Sequence, residues 1–257
     1  MAVALRSVGV SPGADSDTCV IDKPAGLSVG DLMIAHVSVH RGNSTPSVVE
    51  TLLGWTLIRQ DADDDGSHGI RSALFWKIAD SGDTPESDFT FDLAAARANI
   101  GAISAWTGHD PVTPINANNG QYQDSSTVTS PAITPSVASC MICLFCAASD
   151  NNTFSSYAIA TSNPGSWNEA YDINSAAGYD SCAAMANAIR PETTSTGNGT
   201  ASASGRDPNI GQLVAIAPAG AAGWTTIAKV NGVGQADLAK INGVAKTDIA
   251  KINGVAV

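Results

Sequence analysis

Val29-Gly-Asp-Leu-Met-Ile-Ala-His-Val-Ser-Val-His40 is apolar almost without a break, and after a polar loop comes Gly54-Trp-Thr-Leu-Ile58. With side chains alternating, Met33, Ala35, Val37 and Val39 share one face and His36 and Ser38 the other, which predicts a strand with at least one core face. A degenerate copy returns about 110 residues later. Ser139-Cys-Met-Ile-Cys-Leu-Phe-Cys-Ala-Ala148 stands where Gly30-Asp-Leu-Met-Ile-Ala35 stood, and Gly165-Ser-Trp167 where Leu53-Gly-Trp55 stood. Ser72-Ala-Leu-Phe-Trp-Lys-Ile78 aligns with Cys182-Ala-Ala-Met-Ala-Asn-Ala188, and Asn99-Ile-Gly-Ala-Ile-Ser-Ala-Trp106 with Asn209-Ile-Gly-Gln-Leu-Val-Ala-Ile216. Four matches in order at nearly constant spacing argue for a duplicated unit.

Composition narrows the class. The 257 residues are 44% hydrophobic and only 14% charged, with many small and turn-forming residues, which suits a β-rich chain and not a helical bundle. The formal charge of −11 and a pI near 4.5 oppose binding to nucleic acid or to an anionic membrane, and the 13 Lys and Arg form no basic patch. No apolar run is long enough to span a bilayer, and the first ten residues lack a basic segment followed by a long apolar one, so a soluble product made in the cytoplasm is expected. Five cysteines, three of them within one apolar run, do not resemble a secreted disulfide framework; reduced, buried thiols are expected.

Turn residues divide the chain into strands. Two short strands precede Lys23-Pro-Ala-Gly26; Gly54 to Arg59 and Ile70 to Ala79 flank an acidic loop from Gln60 to Gly69. Asp88 to Leu93 alternates strictly, Ala94 to Ala98 could form a helical turn, and Ile100 to Trp106 is the next strand. A Pro-rich crossing, His109 to Ile115, leads to the second copy, with strands at 138–148, 153–160, 167–173, 181–189, 199–204 and 210–217. The expected fold is all-β: an antiparallel, jelly-roll-like β-sandwich over residues 1–218 with internal pseudo-duplication, its halves about 1–112 and 113–218. Two small domains are the alternative, disfavoured because each half has few large apolar residues.

The rest differs in kind. Residues 219–224 read as a linker ending in Trp224, and residues 225–257 divide into three units of eleven: 225–235, 236–246 and 247–257. Apolar positions recur in register at Ile227, Val230, Val233, Leu238, Ile241, Val244, Ile249, Ile252 and Val255. An eleven-residue period can mark a right-handed coiled coil, but each unit carries Asn-Gly, and a glycine within a helix costs about 1 kcal/mol relative to alanine. The expectation is one helical turn per unit, with Asp237 or Asp248 near its start and Asn-Gly as its stop, then an extended Val. Such units cannot enclose a core, so with Trp224 their apolar positions form the expected docking or oligomerisation interface.

For chemistry, the most specific signal is Asp61-Ala-Asp63-Asp-Asp65-Gly66, the first half of a calcium loop whose alternating carboxylates would converge on one hard cation. Asp61, Asp63 and Asp65 are the candidate ligands. The twelfth position is Ser72 where a bidentate acid is needed, and a strand follows, so a solvated hairpin tip competes with the metal site. Cys140, Cys143 and Cys146 on a strand cannot converge, because Cys143 points away from the other two. His36 and His40 would lie about 13 Å apart at ~3.3 Å per residue, too far for one metal. Tyr122, Tyr157, Trp167 and Tyr171 are read as loop aromatics able to stack on a sugar. Neither a P-loop nor a zinc-protease motif is present in the sequence, and no catalytic residue or organic cofactor is assigned.

Gly30-Asp-Leu-Met-Ile-Ala35, Gly54-Trp-Thr-Leu-Ile58, Ala73-Leu-Phe-Trp-Lys-Ile-Ala79, Asp88-Phe-Thr-Phe91 and Ile100-Gly-Ala-Ile-Ser-Ala-Trp-Thr-Gly-His-Asp-Pro-Val-Thr-Pro-Ile-Asn116 together resemble a β-sandwich module of virion structural proteins in tailed bacteriophages, marine ones especially. The Ile-Ala-Lys-Val-Asn-Gly-Val units resemble the short repeats that end such proteins. The resemblance covers nearly the whole chain and rests on fold-forming residues. It implies a non-enzymatic structural protein on the virion surface, a capsid decoration or fibre protein, partnered with other virion proteins and with itself as a homo-oligomer, a trimer favoured. The alternatives are a tail-fibre receptor-binding protein and a carbohydrate-binding adhesin module, either of which would take a host-surface glycan as partner.

Overall fold

The structure is a computed structural model that describes residues 2–40, 48–62, 69–161 and 166–220, and beyond these the backbone of six two-residue strands within 229–256. The chain forms two compact units, Ala2–Pro218 and Ala219–Val257. In the first unit two antiparallel six-stranded sheets pack face to face. One holds β1 (Ala4–Val10), β2 (Ala14–Asp22), β3 (Leu32–His40), β4 (Thr56–Ala62), β5 (Ile70–Ile78) and β6 (Asp88–Thr107). Its order is β1-β6-β3-β5-β4, with β2 also on β6. The other holds β7 (Ile115–Ser130), β8 (Cys140–Ser149), β9 (Phe154–Ile159), β10 (Asn168–Ser175), β11 (Ser181–Arg190) and β12 (Gly199–Ile216). Its order is β7-β12-β8-β11-β10, with β9 also on β12. The chain is an antiparallel β-sandwich, and each sheet is drawn from one half of the sequence.

The two orders coincide when β1 with β2 is matched to β7, β3 to β8, β4 to β10, β5 to β11 and β6 to β12. Even an irregularity repeats: β4 is bulged between Leu57 and Arg59, and β10 between Glu169 and Tyr171. Strand register fixes the equivalent residues. His36 lies opposite Leu74 and Ala102, and Phe145 opposite Met185 and Gln212, so His36 matches Phe145, Leu74 matches Met185 and Ala102 matches Gln212. Ser72 therefore corresponds to Ala183, not to Cys182 as the linear alignment has it. The single-residue correction matters because a slip of one carries every side chain to the other face.

Across the sandwich β1 lies against β10, β4 against β7, β3 against β8 and β11, and β5 against β8 and β12. Exchanging the halves maps each of these contacts onto another, as in a twofold-symmetric dimer whose subunits are joined in one chain, while the contact of β6 with β10 has no counterpart of similar extent between β12 and β4. Leu32, Ile34, Leu74, Ala102 and Trp106 meet Met141, Cys143, Phe145, Met185 and Val214 between the sheets. The outer faces are buried too. Met33, Ala35, Val37 and Val39 of β3 pack with Trp55, Phe75, Phe89 and Phe91, and Cys140, Ile142, Leu144 and Cys146 of β8 with Phe154, Ala184 and Leu213. Both faces being covered explains why β3 and β8 read as continuous apolar runs.

Three local expectations change. Ala94 to Ala98 is not a helical turn but the middle of β6: Arg97 and Ala98 pair with Ser16 and Asp15 of β2, the register jumps across 93–96, and the Ala94 N–H donates to the Val48 carbonyl, contacts that override the alanine preference for helix. The strands expected at 199–204 and 210–217 are one strand, β12, which ends at Ile216 and pairs with β7 over 199–202 and again over 207–216 across a register shift. The strand β7 itself, rich in Asn, Gln, Ser and Thr, gave no apolar alternation because much of it is only half-buried. In the C-terminal unit Lys229–Val230, Lys240–Ile241 and Lys251–Ile252 are not the end of a helical turn. They are extended and pair antiparallel with Val233–Gly234, Val244–Ala245 and Val255–Ala256. The sequence between each pair is Asn-Gly, the dipeptide that two-residue hairpin loops favour. The other positions of the units lie outside the described residues.

Candidate functional site

The polar residues of β3 sit where the two sheets meet. His36 is fully buried, with its ring edge-on to Phe145 at 5.4 Å between centroids. Its Nδ1 is 3.0 Å from the Tyr171 hydroxyl on β10, and its Nε2 is 3.0 Å from Ser72 Oγ on β5. Ser72 Oγ donates to Gln212 Oε1 on β12 at 2.7 Å. Gln212 Nε2 donates to Asp61 Oδ2 at 2.7 Å and to the Ser72 carbonyl at 3.2 Å. Asp61 in turn is gripped at both oxygens by Arg59, at 2.5 and 2.6 Å, and Arg59 reaches the second sheet at Asn118 Oδ1 and the Gly120 carbonyl on β7.

These contacts fix every proton. Gln212 Nε2 faces only acceptors, so the amide orientation is set and its Oε1 must accept. Ser72 therefore donates to it, His36 Nε2–H donates to Ser72, and the Tyr171 hydroxyl donates to the bare Nδ1. His36 is the neutral tautomer, and burial pushes its pKa down to about 3. Burial first, then the Cys143 and Cys146 thiols, drives the Tyr171 hydroxyl well above its ordinary range. In a nucleophilic serine the histidine takes the hydroxyl proton; here the histidine gives one and the serine's proton is committed to Gln212. The arrangement is a directed chain of hydrogen bonds joining the sheets, and its chemistry is that of adhesion.

Asp61, the first candidate calcium ligand, lies on β4 with both oxygens engaged in this chain; Asp63 and Asp65 lie outside the described residues. Among the described residues no three His, Cys, Asp or Glu side chains gather as for a metal. Cys19, Cys140, Cys143, Cys146 and Cys182 are all free and buried, with Cys140 and Cys146 in the outer core of the second half and Cys143 between the sheets. His40 contacts the carbonyls of Tyr179 and Asp180, and His109 those of Gly30 and Asp110, tying down the crossing between halves.

Of the aromatics read as loop residues, Tyr122, Tyr157 and Tyr171 lie on strands, and Trp167 lies in the connection just before β10. Tyr171 is in the inter-sheet core, Tyr122 is on β7, and Tyr157 lies 6.4 Å from Trp167, both against the outer core of the second half. Of the expected assembly positions, Val230 is opposite Val233, Ile241 opposite Val244 and Ile252 opposite Val255. Trp224, Ile227, Leu238 and Ile249 lie outside the described residues. Sequence reasoning passed over Tyr171, a partner of His36, and Gln212 and Arg59, which carry the chain onward from Ser72. A glutamine inside the apolar run Ile210-Gly-Gln-Leu-Val-Ala was the available signal, since such a residue is seldom buried without a partner.

Comparison with known proteins gives no match. No family model, no curated protein and no solved structure is significantly similar to the chain.

Proposed function

We propose that the protein is a non-enzymatic structural component of a tailed-phage particle, a capsid decoration or fibre protein exposed on the virion surface and assembled as an oligomer. The observation that carries the reading is the three in-register eleven-residue units appended to a duplicated sandwich. A repeated short hairpin has too little surface to enclose a core, so its recurrence is accounted for by attachment to a larger assembly. The resemblance to phage virion modules along residues 30–116 supports the same reading, and the low charge density with net negative charge suits high local copy number.

The test is co-sedimentation of the purified chain with empty capsids of a candidate phage. The full chain is expected to bind, and a chain lacking residues 219–257 to keep its fold and lose binding. Adsorption of the isolated chain to host cells, with blockade of infection, would favour a receptor-binding fibre instead. Saturable binding on a sugar array with no affinity for particles would favour a carbohydrate-binding module and overturn the structural reading.

A further inference from the structure

Side-chain hydrogen bonds between the inner faces of the two halves join unlike residues. His36 bonds to Tyr171, Ser38 Oγ lies 2.8 Å from Ser181 Oγ, Ser72 donates to Gln212, and Gln212 donates to Asp61. Strand register gives the counterparts of the first-half members in the second half: Phe145 for His36, Ala147 for Ser38, Ala183 for Ser72 and Ile173 for Asp61. Those of the second-half members in the first are Arg59 for Tyr171, Ile70 for Ser181 and Ala102 for Gln212. Each polar pair is thus matched, on the far side of the pseudo-twofold, by residues that do not repeat it. Shape follows the same rule. Gly120 and Val10 are counterparts, and a Cβ on Gly120 would stand 2.6 Å from Asp61 Oδ2 and 2.8 Å from Arg59 Nε.

We propose that the inner faces carry a pairing code: the surface of the first half fits the second half and rejects another copy of the first. In a pair of first halves docked as the two halves are here, Ser38 would face Ile70 and Ser72 would face Ala102, so that both hydroxyls lose their partners across the interface. Val10 would also press its side chain into the Arg59–Asp61 pair, where Gly120 now leaves room. In a pair of second halves Gln212 would face Ala183 and Ile173, Ser181 would face Ala147, and the Tyr171 hydroxyl would face Phe145. Apolar contact does not make the distinction, because Leu32, Ile34 and Leu74 on one face and Met141, Cys143 and Met185 on the other are alike in kind. Discrimination comes from the penalty on the wrong pair, about tenfold in affinity for each buried polar group left without a partner.

The occasion for the code is synthesis. The first half is complete about 110 residues before the second, an interval on the order of ten seconds at the rate of translation. During it the inner face has no partner in its own chain, and neighbouring nascent chains offer first halves before second ones. Once both halves exist, the short crossing between β6 and β7 holds the right partner close, and tethering reinforces the choice.

The test uses the full chain with a protease site placed in the exposed stretch 111–113 and cut after folding, so that tethering no longer contributes. The cut protein is unfolded in urea, diluted to refold, and weighed by native mass spectrometry. A species made of two first halves contains no C-terminal units, so its mass reports the inner face alone. The wild type is expected to restore first–second pairs, with first–first pairs below about one in a hundred. The same chain with an apolar first half (His36→Phe, Ser38→Ala, Arg59→Leu, Asp61→Leu, Ser72→Ala) is expected to give abundant first–first pairs. Abundant first–first pairs from the wild type overturn the code, and so does their absence from the apolar variant. If a cut chain does not refold, the uncut chain decides. Ser72→Ala and Gln212→Ala together should lower the urea midpoint by clearly less than the sum of their separate shifts, and additive shifts overturn the code.

Discussion

Gly120 sits where β7 crosses the Arg59–Asp61 pair, and a Cβ there would stand 2.6 Å from Asp61 Oδ2 and 2.8 Å from both Arg59 Nε and Gln212 Cγ. Every neighbour is already committed to the polar chain, so none can give way freely. Gly120→Ala is expected to cost about 1–3 kcal/mol of stability, read from the shift in urea midpoint. Ser72→Ala strands two buried groups, His36 Nε2–H and Gln212 Oε1, and should cost about 2–5 kcal/mol in the same assay. The thiols answer a different question. Burial pushes Cys19 and Cys182 up to about 12 and Cys140 to about 11, and drives Cys143 and Cys146 upward as well. All five should resist a thiol-specific reagent near pH 8 in the folded protein and all five react in denaturant; rapid native labelling of even one would contradict their placement.

At the scale of elements, β6 and β12 carry the fold, each long enough to serve both an outer layer and the inner sheet. Gly101 and Gly211 occupy equivalent places in them, beside the points where the outer layer closes on the strand. A Cβ on Gly211 would meet the Thr129 carbonyl oxygen at 2.6 Å, and one on Gly101 would meet Ile21 Cδ1 at 2.6 Å and the His36 carbonyl oxygen at 2.9 Å. Both alanine variants should lower the thermal midpoint, Gly211→Ala by more, because backbone yields less than the tip of an isoleucine; the reverse order would be evidence against the outer-layer contact. The strands legible in sequence were those with one clear periodicity, such as β3 and the start of β6. Three features were not: β7, because its exposure is mixed; the continuity of β6 through Ala94–Ala98; and the hairpins of the C-terminal units, whose Asn-Gly signal was assigned to a helix end rather than a strand reversal. In each case pairing with a partner strand decided what local preference left undetermined.

For the whole molecule, the C-terminal units bear on assembly. Ile241→Asp with Ile252→Asp is expected to abolish oligomers in sedimentation velocity while the sandwich of residues 2–218 keeps its β-sheet circular dichroism. Oligomers unchanged in that variant would remove these positions from the interface. The candidate site shows how far reading the chain could go. Asp61 was singled out with Asp63 and Asp65 as a candidate calcium ligand from its spacing; its carboxylate takes part in the inter-sheet hydrogen-bond chain, and the other two lie outside the described residues. The sequence alone determined the all-β class, the duplication and the placement of cysteines on opposite faces, because these follow from local alternation and from self-similarity. Only the tertiary structure decided that positions 36, 61, 72, 171 and 212 join in one chain and that the equivalence of β5 and β11 shifts by a residue. Such contacts join residues more than a hundred apart across a packed face, and no local period records which of two sheets a buried side chain will find.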